Sequence, residues 1–360
     1  MNTDKIDPSS DHSISGQIPK PHKATSLIIL IIILVLLAIF GIIASKFSGG
    51  FKSIPGQTLL YDFMGSPCDI VVNSENGEKG IREALSELEK LQKSVDWRNS
   101  DSQVSAINRM AGVTTVTVTA DVLQVIIKAK IFADATEGIF DPTAGPLYDL
   151  WKFDSGKPVV PSKEDIKKTL QYVDYQQILI DRKESTVGLN KAKMKLNLSQ
   201  IINGFAVAKA RSMLLLRGIQ SAKVTIGRVL AVVGEEKPGV KWQIPIPDTS
   251  QYGKVLGYTT LNPGQAMATA SDRDDQFEFE GKVYNSILDP KSGYPAQQCR
   301  SVTVIGGEPT LIDALATSIF IMGPKKGMET IESLKEVQGL IVKKDGSIIK
   351  SSGLIFKEGE

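Results

Sequence analysis

Histidine is almost missing from this chain: of 360 residues only His12 and His22 carry an imidazole, and both precede residue 23. A Ser-His-Asp triad, a histidine-ligated zinc or a histidine general base is thereby excluded from everything that follows. Cysteine is equally scarce, with Cys68 and Cys299 far apart and without CxxC spacing. The pair supports neither a metal cluster nor a disulfide framework and leaves at most one long-range bridge. An excess of one charge is lacking too, since 42 Lys and Arg against 40 Asp and Glu leave a net charge of +2. No basic face argues for nucleic acid, and no acidic tail argues for disorder. Neither a GxGxxG nor a Walker sequence occurs, so nucleotide binding through those loops has no support.

What the chain does have is apolar bulk. With 42% hydrophobic residues, it can bury one large core or two moderate ones. The stretch Leu27–Ala44 holds eighteen residues without a charge, flanked by Lys23 and Lys46. With its neighbouring serines it is just long enough to span a bilayer, and no later run matches it. The expected organisation is a disordered cytoplasmic tail over 1–24 and a transmembrane signal anchor over 25–46. A Gly/Ser/Pro linker over 47–57 then leads to a large extracytoplasmic domain over 58–357, in a single-pass protein of the cell membrane.

Within that domain, Leu59–Val72 reads as a strand broken by a turn at Met64-Gly65-Ser66-Pro67. Ile81, Leu85, Leu88 and Leu91 recur at helical spacing over Glu78–Ser94, and a second helix covers Ala120–Thr136. Ser162 caps a third over Ser162–Leu170, and Gly218 closes a fourth over Ile202–Arg217. Strands are expected at 113–118, 178–180, 195–198, 223–233, 242–247 and 301–305, with hairpins at 277–287 and 340–350 and a helix over 310–322. Helices and strands alternate irregularly with several hairpins, which is α+β rather than a doubly wound parallel sheet.

Three stretches could carry chemistry. Thr136–Phe153, TEGIFDPTAGPLYDLWKF, mixes Gly and Pro with aromatics too densely for a helix or a strand. It is either a loop pinned over a core or one that wraps a flat ligand. Asp313 and Thr317 lie one helical turn apart in TLIDALATSIFIMG and offer two oxygens to a hard cation such as Mg²⁺. The plainer reading is that Asp313 caps the helix and Thr317 bonds back to its own carbonyl. LDPKSGYPA (288–296) reads as a turn; SDRDD (271–275) could bind a cation, and its plainer reading is a solvated charged loop.

These pieces, in this order, resemble the FAD:protein FMN transferase (ApbE-type) family. The resemblance rests on Met64-Gly65-Ser66, the serine-rich run to Asn108, the whole of Thr136–Phe153, Asp289–Ala296, Ser301–Val304 and Asp313–Thr317 with Met322-Gly323. It implies an ApbE-like mixed α/β domain that takes FAD as flavin donor and needs Mg²⁺. FMN would pass to a Thr or Ser of an extracytoplasmic flavoprotein, with AMP released. By the same resemblance Asp313 and Thr317 are metal ligands with a backbone carbonyl near Ile202. Met64, Phe140, Asp141 and Pro142 would line the FAD site.

The chain departs from the family pattern within the chemical layer. Ser199-Gln200 stand where a glycine pair is expected, Asn203 where a lysine is, Ala208 where an aspartate is, and Ser286 where a histidine is. Arg228 is a cation that could replace the missing charge from a neighbouring strand. Two functions therefore stay open: an active transferase with a rearranged site, or a catalytically degenerate member that binds a flavin or a partner.

Overall fold

A computed structural model describes residues 57–74, 77–251, 253–273 and 275–359. The tail, the apolar segment and residues 47–56 of the linker lie outside the described residues. The described residues fall in one compact unit. Among the described residues no helix is long and apolar enough to cross a membrane.

In chain order the elements are β1 (Gln57–Phe63), β2 (Ser66–Val72), α1 (Gly77–Val95), α2 (Gln103–Arg109), β3 (Val116–Thr117), α3 (Ala120–Ala135), α4 (Gly145–Trp151) and α5 (Lys163–Leu170). Next come β4 (Ile178–Asp181), β5 (Thr186–Leu189), α6 (Ile202–Leu216), β6 (Ala222–Ile226), β7 (Val229–Val233), β8 (Trp242–Pro247), β9 (Val255–Leu261) and β10 (Ala266–Ser271). The chain closes with β11 (Phe277–Phe279), β12 (Lys282–Tyr284), β13 (Cys299–Gly306), α7 (Pro309–Met322), α8 (Pro324–Ser333), β14 (Gln338–Lys343), β15 (Ile348–Lys350) and β16 (Phe356–Glu358).

The main sheet runs β1-β2-β6-β7-β10-β13-β14-β15, and each neighbouring pair is antiparallel. An all-antiparallel sheet with helices gathered on one face is the α+β arrangement. Period-two alternation explains the two layers. On β7, Ala231 and Val233 face the helical core, whereas Val232 turns to a second cluster with Trp242, Ile244, Met267 and Leu340 beneath the small sheet β16-β9-β8. Helices α1, α6 and α7 close the first layer: Ile81, Ala84, Leu88, Leu91 and Val95 make the buried stripe of α1.

Several expectations change. The Thr136–Phe153 segment is not all loop, because Gly145–Trp151 forms α4 with Pro146 at its first turn, where a proline loses no hydrogen bond. Residues 195–198 are extended but make a single parallel bridge, Lys195 to Ala144, rather than a strand. Only Val116–Thr117 of the expected 113–118 strand pairs, with β5. Cys68 and Cys299 are both free and buried, on strands that β6, β7 and β10 separate, so no bridge joins them. Burial pushes each thiol up to about 12.

Two local features aim residues at one end of the sheet. Strands β1 and β2 meet in a two-residue turn at Met64 (φ 55°) and Gly65 (φ 85°), the positive-φ pair of a type I′ hairpin. A non-glycine residue held there is strained. Its N–H donates to Gln92 Oε1 at 3.2 Å, and its carbonyl accepts from Arg98 Nη2 at 3.4 Å. Trp151, fully buried, donates from Nε1 to Gly293 O at 2.9 Å and packs on Phe153, Tyr284 and Tyr294. That bond ties α4 to the 288–296 turn, whose Asp289 accepts from Lys291 N–H and Ser292 Oγ.

Candidate functional site

Helix α6 crosses α7 at Gly204, where an added methyl would sit 2.4 Å from Pro309 O and 2.6 Å from Asp313 Cβ. Only a residue without a side chain permits that approach. The Gly204 N–H, in the first turn of α6, donates to Asp313 Oδ2 at 2.8 Å. Burial pushes the Asp313 carboxyl up to about 7, and the Gly204 hydrogen bond partly offsets the shift. Glu308, and not Asp313, caps α7, accepting from Leu311 N–H at 2.8 Å. The carboxylate of Asp313 is therefore not spent on its own helix.

Asp313 and Thr317 form one edge of a cavity of about 650 Å³, a size ordinary for a small-molecule or cofactor site. Its walls come from segments remote in sequence: the Met64–Pro67 turn, Trp97-Arg98, Tyr148 and Phe153, the 197–203 loop, Gly227–Val229, residues 269–275, and Ser286-Ile287. The positive charge on the lining is carried by Arg98, Arg228 and Arg273; the negative charge by Asp275 and Asp313. Among the described residues no lysine or histidine lines it.

Two of the residues that depart from the resembled pattern, Gln200 and Asn203, are bonded across this space. Asn203 Nδ2 donates to Ser66 Oγ at 3.2 Å, joining the start of α6 to the β1–β2 turn. Gln200 Nε2 donates to the Tyr148 hydroxyl at 2.7 Å, joining the loop to α4. Asn197 folds over its own loop, with Oδ1 accepting from Ser199 N–H, and its N–H donates to Pro142 O at 2.8 Å.

Met64, Ile202, Asn203, Ser286, Asp313 and Thr317 thus come together. Phe140, Asp141 and Pro142 do not line the cavity. Phe140 is 1% exposed and Asp141 7%. Asp141 instead anchors the chain behind the wall, taking the N–H and hydroxyl of Thr143 at 2.7 and 2.6 Å and the N–H of Tyr175 at 3.1 Å. The segment reaches the cavity through Tyr148 and Phe153, after α4 has turned the chain. Ser271, the last residue of β10, is fully buried, whereas Arg273 and Asp275 are solvent-exposed, as a charged loop predicts, and lie at the cavity. Trp97-Arg98 went unread in the sequence, although an aromatic beside a cation was the available signal. The guanidinium stacks 4.8 Å above the Trp97 ring.

Oxygen donors that could take a hard cation are the Asp313 carboxylate, the Thr317 hydroxyl and the nearby α6 backbone. Among the described residues no group of three or more His, Cys, Asp and Glu side chains converges, so any ion here would draw on hydroxyl, carbonyl or ligand oxygens.

The ApbE family model matches residues 64–341. A FAD:protein FMN transferase of Klebsiella pneumoniae (strain 342) is 30% identical over 290 residues, covering 80% of this chain and 90% of its own length. A FAD:protein FMN transferase of Haemophilus influenzae is 29% identical over 314 residues, covering 85% and 90%. Among solved structures, the ApbE protein of Thermotoga maritima superposes with a TM-score of 0.77 at 31% identity, over 82% of this chain and 97% of that one. The apo form of the flavinyl transferase ApbE of Pseudomonas stutzeri gives 0.73 at 26%, over 82% and 95%.

Asp141 carries a pH signature. Desolvation raises its carboxyl from 3.8 to about 6, against the pull of the Thr143 and Tyr175 hydrogen bonds. A carboxyl whose native pKa lies above its unfolded one holds its proton more tightly when folded, so the protonated form favours the native state. That contribution is full below pH 4 and is lost as pH rises through about 6. In urea unfolding, the stability advantage of wild type over Asp141→Asn should therefore grow between pH 7 and pH 4. The gain should be on the order of 2–3 kcal/mol. An advantage that stays constant with pH would contradict this assignment.

Proposed function

The chain belongs to the ApbE family, and from that premise we propose that it is an FAD:protein FMN transferase acting on an extracytoplasmic flavoprotein in a Mg²⁺-dependent reaction. The observation that carries the proposal is the joining, in one cavity, of the desolvated Asp313 and Thr317 edge with an arginine-bearing wall. One side suits a hard cation and the other suits phosphate oxygens.

The reaction breaks the phosphoanhydride of FAD. The hydroxyl oxygen of an acceptor Thr or Ser bonds to the FMN phosphorus, the bond to the bridging oxygen breaks, and AMP leaves with the electron pair. The Asp313 carboxylate, the Thr317 hydroxyl and the carbonyl near Ile202 would hold Mg²⁺, all oxygen donors of the kind that ion takes. When bound, the ion neutralises charge on the diphosphate. Arginines of the wall orient the phosphates, and the aromatic faces of Trp97, Tyr148 and Phe153 suit flat rings. Asp275, a carboxylate among the described residues of the lining, would receive the proton of the acceptor hydroxyl.

A second reading, a flavin-binding member without transferase activity, draws on Asn203 and Ser286. Both are neutral where the family resemblance expects a lysine and a histidine. One assay separates the two: the full chain in detergent, supplied with FAD, Mg²⁺ and an FMN-accepting domain. Covalent flavin fluorescence on the denatured acceptor with stoichiometric AMP, both lost in EDTA, supports the transferase. FAD binding without either product supports the second reading, and no FAD binding removes both.

We further propose that Leu27–Ala44 anchors the chain, with the domain outside the cytoplasm. The length and uncharged character of the segment support this. Protease added to intact cells stripped of any outer layer should then digest the domain, and complete protection would contradict the orientation.

A further inference from the structure

Strands β1 and β2 end their ladder at the pair Phe63 and Ser66, so the N–H groups of Met64 and Gly65 between them have no strand partner. Side chains take both. Gly65 N–H donates to Asp62 Oδ1 at 2.8 Å, within the hairpin itself. Met64 N–H donates at 3.2 Å to Oε1 of Gln92, a residue of α1. The same oxygen accepts from the Tyr61 hydroxyl at 3.3 Å. A backbone N–H can only donate, which fixes the Gln92 amide with its oxygen toward the turn.

Gln92 thus meets the strained half of the turn. Gly65 adopts its φ of 85° at no steric cost, whereas Met64 at φ 55° crowds its Cβ against the following carbonyl. A side chain persists in that region only where its surroundings hold it. Other bonds pin the hairpin beyond Met64. Gly227 N–H, from the two-residue turn Gly227-Arg228 that closes the β6–β7 hairpin, donates to Pro67 O at 2.9 Å. Asn203 Nδ2 donates to Ser66 Oγ at 3.2 Å. Arg98 Nη2 reaches Met64 O at 3.4 Å, from a side chain that is 47% exposed. Met64 itself is buried and lines the cavity, while Gln92 stands behind it, outside the lining.

We propose that Gln92 is a positioning residue: it holds Met64 in its left-handed conformation and so sets where the Met64 side chain and the Met64–Pro67 edge stand against a ligand in the cavity. Two variants separate the hydrogen bond from the packing of α1. Gln92→Leu keeps the bulk and removes the acceptor, and Gln92→Glu keeps an acceptor. Each is made in wild type and in Met64→Gly, where a positive φ needs no support. The full chain in detergent is titrated with FAD, hydrogen exchange of the segment 61–67 is followed without ligand, and thermal melts check folding. The titration rests on the proposed function, whereas the exchange measurement does not. In wild type, Gln92→Leu should weaken FAD about tenfold and speed exchange of the turn by a similar factor. Gln92→Glu should stay within about threefold of wild type on both. In Met64→Gly, Gln92→Leu should cost less than about twofold. A loss of the same size in both backgrounds would overturn the assignment, since Gln92 would then act through α1 and not through Met64. A folded Gln92→Leu that binds FAD and exchanges as wild type does would overturn it too, and either result leaves the proposed function standing. Wild type that binds no FAD would remove the proposed function, and exchange of the turn would then decide the role of Gln92 by the same comparison.

Discussion

Helices α6 and α7 can touch only because residue 204 has no side chain, and most of the cavity follows from that contact. An alanine there would drive its methyl into Pro309 O and the Asp313 Cβ. The close approach desolvates Asp313, hands its Oδ2 the Gly204 N–H and leaves its carboxyl raised to about 7. It also fixes where α6 begins, and so where Asn203 reaches Ser66 and where the 197–203 loop passes under Tyr148. The antiparallel sheet supplies the rest of the frame by presenting three turns, at Met64-Gly65, at Gly227-Arg228 and at 271–275, along one end.

The departures from the family pattern look different in this setting. As letters, Ser199-Gln200, Asn203 and Ser286 read as losses. In the folded chain Gln200 and Asn203 stitch the wall by hydrogen bonds to Tyr148 and Ser66. The cations among its described lining residues are Arg98, Arg228 and Arg273, and a guanidinium can meet phosphate in a bidentate way that a lysine ammonium cannot.

Much of the scaffold was legible because its elements keep a clear period. The stripe Ile81, Leu88, Leu91 announced α1, and 223–233 read as a strand pair or one long strand, which in the structure is the β6–β7 hairpin. Strand β10, Ala266–Ser271, was not legible: all six residues are buried, so there is no alternation, and alanine carries little strand signal. Helix α4 was hidden by Gly145 and Pro146, which read as breakers until their position at its first turn is known. Of the site, the i, i+4 spacing put Asp313 beside Thr317, and Met64 was named by the family resemblance alone. Asp141 stands buried behind the wall, a position that sequence cannot tell from a ligand-facing one. Arg98, Arg273 and Asp275 sit in loops, where no period marks which way a side chain faces.

The central claim is that the cavity bounded by Asp313, Thr317 and the Gly227-Arg228 turn is where FAD sits. Crystals of the protein grown with FAD and Mg²⁺ test it most directly. The diphosphate should lie between the Asp313–Thr317 edge and the arginine-bearing wall, with an ion on the Asp313 side. FAD bound anywhere else on the domain, with this cavity holding only solvent, would contradict it.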